Sequence, residues 1–225
     1  MIDQIATNKE VQVTKAQPVS KDVLAFATAS VLFITSGTAW YIYLVLTRNP
    51  LMKPVLASWI VIATTMMLSF VTYWTKNQKR SLIANVGNAI SVLSTGSIFL
   101  AVAYVTVVDH RGLKFNYFQL GSLTAAAAIM AWWYRLVWIR KVTSTLPNVL
   151  IQVLMAVGYA VTAEKLWHAT HNTEPMFTWI CIALGGLCAM YPAFKRHDQL
   201  AKLYTVRVAI TTTSLIVLMY RAGHH

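Results

Sequence analysis

Two stretches of this chain share one layout at a fixed offset of 120 residues, and each runs through two apolar blocks. Residues 58–94 read SWIVIATTMMLSFVTYWTKNQKRSLIANVGNAISVLS, and residues 178–214 read TWICIALGGLCAMYPAFKRHDQLAKLYTVRVAITTTS. Trp59 falls on Trp179, Lys76 on Arg196, Val86 on Val206, Ala89 and Ile90 on Ala209 and Ile210, and Ser94 on Ser214. An aromatic anchor, a basic loop and the next apolar run keep step without a gap. A repeat of this size restricts the chain to two copies of one multi-helix unit, with a binding site expected between the copies.

Hydrophobic residues make up 57% of the chain and charged ones 12%, where a soluble domain carries about 25% charged. The apolar residues gather in seven blocks, 23–46, 54–74, 82–107, 117–139, 147–167, 175–194 and 200–220. Each is near the ~20 residues that a helix needs to cross hydrocarbon. The pattern predicts an all-α polytopic membrane protein with seven transmembrane helices. Residues 1–21 lack the apolar core and cleavage site of a signal peptide and are expected to stay as a cytoplasmic tail. Cys181 and Cys188 lie seven apart on one helix, with Cα atoms ~10 Å apart, too far for a disulfide.

The net charge of +12 does not point to nucleic acid, because the basic residues sit at the ends of the blocks. Lys9, Lys15, Lys21, Lys76, Lys79, Arg80, Arg135, Arg140, Lys141, Lys195, Arg196 and Lys202 fall on one membrane side. Arg48, Lys53, Arg111, Lys114, Lys165 and Arg221 fall on the other, and Arg207 lies within a span. The excess predicts a cytoplasmic N-terminus and an external C-terminus in the plasma (inner) membrane.

A three-helix unit enters on one side and leaves on the other, so a copy that followed directly would be inverted. A single intervening helix restores the direction and makes the copies parallel. The expected organisation is therefore a tail (1–21), a first repeat (22–107), a linker with the fourth helix (108–146), a second repeat (147–221) and a short end (222–225). The fourth helix, with Gly121, Ser122, Ala125 and Ala128 on a small-residue face, has no repeat partner.

The plan resembles the SWEET sugar facilitators, their half-size SemiSWEET relatives and the wider PQ-loop group. The local likeness is Ile83-Ala84-Asn85-Val86-Gly87 in the third block, similar to the segment that carries a substrate-facing asparagine in that family. The chain departs from it in having no Pro-Gln dipeptide, in having Thr205-Val206-Arg207 where a second asparagine belongs, and in its charge-based orientation. That orientation is similar to the PnuC-type vitamin transporters. The resemblance implies alternating access between two three-helix bundles, with Asn85 and Thr205 facing each other across a pseudo-two-fold axis.

The substrate-binding candidates are Asn85, Thr205, Asn88, Trp59, Trp179 and Gln152. Asn85 and Asn88, at i and i+3, share a face. The two Trp offer apolar walls, although interfacial anchoring is the commoner role. Arg207, about seven residues into the last block, is the charge set deepest in a span, and either lines a cavity or snorkels to the surface. Since it points about 200° away from Thr205 around the helix, Thr205 is expected to line the cavity and Arg207 to pack elsewhere. Tyr41, Tyr43, Tyr73, Trp74, Trp132, Trp133 and Trp138 read as interfacial belt residues. Gly37, Gly87, Gly96, Gly158, Gly185 and Gly186 read as close-packing points. Glu164, His168, His171 and Glu174 suit a solvated loop better than a zinc site, because the helix should end before Glu174. No carboxylate falls at mid-span, and no catalytic pairing or cofactor motif is present. The expectation is a non-enzymatic facilitator of a small neutral polar solute, sugar- or nucleoside-like, without cofactor or metal. Its partners would be lipid and solute, with self-association left open. The alternative is a non-transporting seven-helix protein of assembly, sensing or lipid contact.

Overall fold

In hydrocarbon every backbone N–H and C=O must be satisfied within its own segment, so long apolar runs fold as helices. Among the described residues seven form: α1 (Lys21–Leu46), α2 (Leu56–Lys76), α3 (Val86–Val108), α4 (Tyr117–Arg140), α5 (Thr145–His168), α6 (Met176–Lys195) and α7 (Gln199–Ala222). The structure is a computed structural model and describes residues 19–50, 54–76, 81–140, 145–169, 172 and 174–223, without the side chains of 76, 136–140, 160, 161 and 165. The tail to residue 18, Lys53, Lys79, Arg80, Lys141, His171 and His224–His225 lie outside the described residues, as does the side chain of Trp138.

All the helices except α4 are long and apolar enough to cross a membrane. In those six, only 31% to 44% of the apolar window is buried in the protein, which leaves most of it available to face lipid. Leu93, Leu100 and Val107 form one such outward row on α3, each about two-thirds exposed. α4 is less apolar because it carries Gln119, Gly121, Ser122, Thr124 and a run of alanines. It still runs the length of the bundle. Its start is tied to α2 by Gln119 Nε2 donating to Ser58 Oγ (2.9 Å). Its end lies only four residues before α5, which begins at the far end of α2, where Asn148 donates to Thr72 Oγ1 (2.9 Å).

The third block becomes helical at Val86, not at 82, because residues 81–85 form turns first. There the Asn85 N–H donates to the Ser81 carbonyl (3.0 Å), and the Ser81 N–H donates to the Tyr73 hydroxyl (3.0 Å). α1, α3 and α6 all stop with a non-glycine residue in the left-handed region just past the cap: Arg48, His110 and His197. A six-residue hydrogen bond closes each, such as Asp198 N–H to the Ala193 carbonyl (3.1 Å).

α3 packs on both α1 and α2, and α7 packs on both α5 and α6. The two groups meet along α1–α6 and α2–α5, while α4 lies outside against α5 and α2. The α1–α6 seam is a close approach of small residues. A methyl at Gly185 would sit 2.5 Å from Ile34 Cγ1, and one at Gly37 would sit 2.8 Å from Cys181 Cβ. Thr178 Oγ1 donates across this seam to the Gly37 carbonyl (3.1 Å). Gly87 and Gly186 are similarly tight, against Ala189 and Val208, whereas Gly96 and Gly158 face open space and are not packing points. Three of the expected belt residues are also interior: Tyr41, Tyr73 and Trp133 are buried, while Tyr43, Trp74 and Trp132 are exposed.

These contacts separate the glycines. Gly185→Ala forces Ile34 and the α1 backbone apart and should cost about 1–3 kcal/mol of stability, whereas Gly96→Ala should be neutral or slightly stabilising. Thermal unfolding of the two variants in the same detergent measures the difference.

Candidate functional site

Between the two helix groups lies a cavity of about 390 Å³, within the usual range for small-molecule sites of about 300–1,000 Å³. Its upper wall comes from the ends of α1 and α5 and the starts of α2, α4 and α6, including Tyr41, Trp59, Gln119, Tyr159 and Trp179. Ser91, Ser94, Tyr204 and Arg207, on α3 and α7, form its deep part. The side chains around it are aromatic on two sides and hydroxyl-rich between. Tyr41 meets Trp59 edge-on at 5.2 Å, and Tyr159 meets Trp179 edge-on at 6.0 Å.

Below Tyr204 the interior is closed by a buried polar layer. The Tyr204 hydroxyl donates to Ser91 Oγ (2.7 Å), linking α7 to α3. Ser69 on α2 accepts at Oγ from Asn88 Nδ2 (3.2 Å) and from Gln152 Nε2 (2.6 Å). Asn148 Nδ2 donates to the Ser69 carbonyl (3.0 Å). At the far end the Tyr73 hydroxyl donates to Asp198 Oδ2 (2.7 Å), and Asp198 Oδ1 caps α7 through the Ala201 N–H (3.1 Å). Arg196 Nη1 donates to Ser81 Oγ there (3.2 Å). The molecule is thus open at one end and tied shut at the other.

Arg207 sits on the wall of the cavity just above this layer. Eight residues from the start of α7 and fifteen from its end, it lies about 12 Å and about 22 Å along the axis from the two. Its side chain is 8% exposed. Nε donates to Gln152 Oε1 (3.0 Å), and the guanidinium lies over the rings of Tyr204 (5.0 Å) and Tyr159 (5.8 Å). Nη1 and Nη2 have no hydrogen-bond partner in the protein. Among the described residues ion pairs join Asp109 to Arg48 and Arg111, and Arg207 belongs to neither. A charge at such depth costs about 2.5–3.5 kcal/mol on insertion scales, and the ring contacts return about 2 kcal/mol when desolvated. The hydrogen bond from Nε to Gln152 supplies the remainder.

The six candidate residues divide. Trp59 and Trp179 line the cavity on opposite walls. Asn85, Asn88, Thr205 and Gln152 are buried but not on its lining. Asn85 is the cap of α3 rather than a mid-helix residue, and neither of its amide atoms has a partner. Thr205 turns its hydroxyl back to the Lys202 carbonyl (3.0 Å). Its methyl approaches Gly87, where α3 and α7 meet beneath the cavity. Asn88 and Gln152 spend their amide N–H groups on Ser69. The order expected on α7 is therefore reversed: Arg207 lines the cavity and Thr205 does not, because Gln152 and the two tyrosines hold the guanidinium inward. Tyr159, Tyr204 and Ser91 carry no site signal in the sequence, and Tyr41 reads there as an interfacial belt residue. A Tyr on the helix that precedes each of Trp59 and Trp179 is the one sequence signal for Tyr41 and Tyr159.

At the open end, Asp109 joins the α1–α2 loop to the end of α3 by accepting from Arg48 Nε (2.9 Å) and Arg111 Nη2 (2.8 Å). The Arg48 hydrogen bond, with help from the charges of Arg48 and Arg111, holds this carboxyl below the ordinary carboxylate range. The folded-state value lies under the unfolded one, so the contribution is present at neutral pH and is lost as pH falls through the folded value. Asp109→Asn should therefore lower the melting temperature at pH 7, and the gap to the natural chain should close in acid. A gap that persists unchanged to pH 3 contradicts this.

Gln152 bridges Ser69 and Arg207, so Gln152→Ala removes one of the two donors to Ser69 Oγ and leaves the buried guanidinium without its hydrogen-bond acceptor. A loss of about 1–3 kcal/mol or more is expected, read as a lowered melting temperature, with Thr205→Ala close to neutral by comparison. Comparison with known protein families, curated proteins and solved structures gives no match for this chain, and the functional reading rests on the cavity and the residues around it.

Proposed function

We propose that the chain is an integral membrane carrier for a small polar solute, which it exposes alternately at two membrane faces by shifting α1–α3 against α5–α7. The observation that carries this reading is a central cavity open at one end and closed at the other by hydrogen-bonded polar groups. Here the Asn85 side-chain amide is unpartnered, and Asn88 Oδ1 and Asn148 Oδ1 are buried without donors. Buried polar atoms left unpaired cost free energy. Water or solute entering from that end would recover it, which lowers the cost of opening there.

The helix directions support the three-plus-one-plus-three plan. α2 and α6 both start at the cavity mouth, with Trp59 and Trp179, and α3 and α7 both start at the closed end. In each group the third helix lies against the other two, and α1–α6 and α2–α5 are the joins that a two-fold axis would interchange. The edge-on Tyr41–Trp59 and Tyr159–Trp179 pairs are a side-chain counterpart of the same symmetry. The distribution of basic residues supports an external mouth and a cytoplasmic N-terminus. The described carboxylates, Asp22, Asp109, Glu164, Glu174 and Asp198, all lie near helix ends or in loops. That favours facilitation over proton or cation coupling.

Access to Ser94, on the cavity wall, tests the cycle without knowing the solute. With Cys181→Ala and Cys188→Ala removing the native thiols, Ser94→Cys should react with a membrane-impermeant thiol reagent in right-side-out and in inside-out vesicles. Reaction from the mouth face alone, at every temperature and exposure time, would favour a non-transporting binding protein.

A further inference from the structure

We propose that the cavity binds a small organic anion whose carboxylate or phosphate is held end-on by the two Nη groups of Arg207. The inference rests on the solute-cavity reading above and replaces a neutral solute with a charged one.

Arg207 is more than nine-tenths buried and lies on the cavity lining. Gln152 Oε1 takes its Nε–H, which fixes the plane of the guanidinium. The Nη1–Nη2 edge is left without an acceptor. That edge is a fork of parallel N–H donors whose spacing matches the two oxygens of a carboxylate or phosphate. The guanidinium also lies over the rings of Tyr204 and Tyr159, and its Nη atoms are buried, so a ligand reaches this edge by displacing the side chains that cover it. Charge balance agrees. The ionisable Lys, Arg, Asp and Glu side chains on the lining are Arg207, Lys114 and Glu174, a net of +1. Glu174 precedes α6 at the mouth, whereas Arg207 lies deep on α7. The rest of the lining sets the body of the ligand: Trp59, Trp179 and Tyr41 offer apolar faces, and Ser91 and Ser94 offer hydroxyls. An anionic head on an aromatic or apolar body fits this division better than a sugar, which needs donors and acceptors all round.

Lipid phosphate and a soluble anion share this chemistry, and the experiment separates them. The purified full chain in phosphatidylcholine nanodiscs is titrated with benzoate and with the near-isosteric neutral benzamide, followed by tryptophan fluorescence and thermal unfolding. Benzoate should bind at least tenfold more tightly than benzamide, and inorganic phosphate should compete with it. Arg207→Gln should lose benzoate binding by tenfold or more, and Arg207→Lys should keep part of it. Equal binding of benzoate and benzamide to the natural chain overturns the inference, even if Arg207→Gln fails to fold. Binding of benzamide or glucose without preference for the anion leaves the solute cavity standing and removes only its charge selectivity. No response to any of these probes removes both readings. If phosphatidylglycerol, replacing part of the phosphatidylcholine, blocks benzoate and stabilises the natural chain but not Arg207→Gln, the oxyanion seat is upheld with lipid as its occupant, and the soluble-solute reading falls.

Discussion

One hydroxyl gathers the centre of this bundle. Ser69 Oγ accepts from α3 through Asn88 and from α5 through Gln152, whose own oxygen accepts a hydrogen bond from Arg207 Nε on α7. In lipid no hydrophobic force draws one helix to another, so packing and interhelical hydrogen bonds must hold them. The chain from Ser69 to Arg207 joins four helices at the level where the cavity ends. It also explains how an arginine is tolerated at this depth: three of its contacts, to Gln152, Tyr204 and Tyr159, are made before any ligand arrives.

The two seams between the helix groups are built differently. Along α1–α6 glycines bring the backbones together, and the Gly37 and Gly185 contacts leave no room for a methyl. Along α2–α5 the join is polar, made by Asn148 and Gln152 on Ser69 and Thr72. Parting the glycine seam would forfeit dense dispersion contacts that lipid chains match poorly. Parting the polar seam exposes amides and hydroxyls that water can satisfy at modest net cost. A motion that opens the closed end is therefore cheapest if it hinges on α1–α6 and separates α2 from α5. The unpartnered oxygens of Asn88 and Asn148 already lie next to that seam.

The helices were legible because their signal is local: an apolar run of the right length needs no knowledge of its neighbours. Most block ends in the sequence lie within two or three residues of the helix ends. The start of α3 is the exception, and its cause is tertiary, since Tyr73 and Ser81 hold residues 81–85 in turns. The site was less legible for the same reason. The 200° separation of Thr205 and Arg207 is a property of α7 alone, but which of the two faces inward depends on Gln152 of α5. Nothing in the α7 sequence encodes that phase. Tyr41 and Tyr73 were assigned to the belt from composition near block ends, whereas Trp59 and Asp198 draw them inside. Gly96 and Gly158 carry the same letter as Gly37 and Gly185, and only the neighbouring helix distinguishes a packing glycine from one in open space.

The placement of charge has a consequence for energetics. If the solute is an anion and no carboxylate at mid-depth carries a compensating proton, each turnover moves net charge across the bilayer. Moving one elementary charge through 100 mV is worth about 2.3 kcal/mol, which is a factor of roughly fifty in a distribution ratio. An inside-negative potential would then drive such an anion outward, towards the mouth if the N-terminus is cytoplasmic. The positive seat is deep in the cavity, nearer the closed end, where an anion arriving from the cytoplasm would meet it first. A fixed cation at that depth lowers the barrier for the charged head where hydrocarbon would otherwise raise it most. The aromatic pairs further out can guide the apolar body towards release without binding the charge a second time. Arg207 then acts as a single station for the charged head rather than one link in a relay. This fits a facilitator whose driving force comes from the gradient and the membrane potential, with no coupling ion.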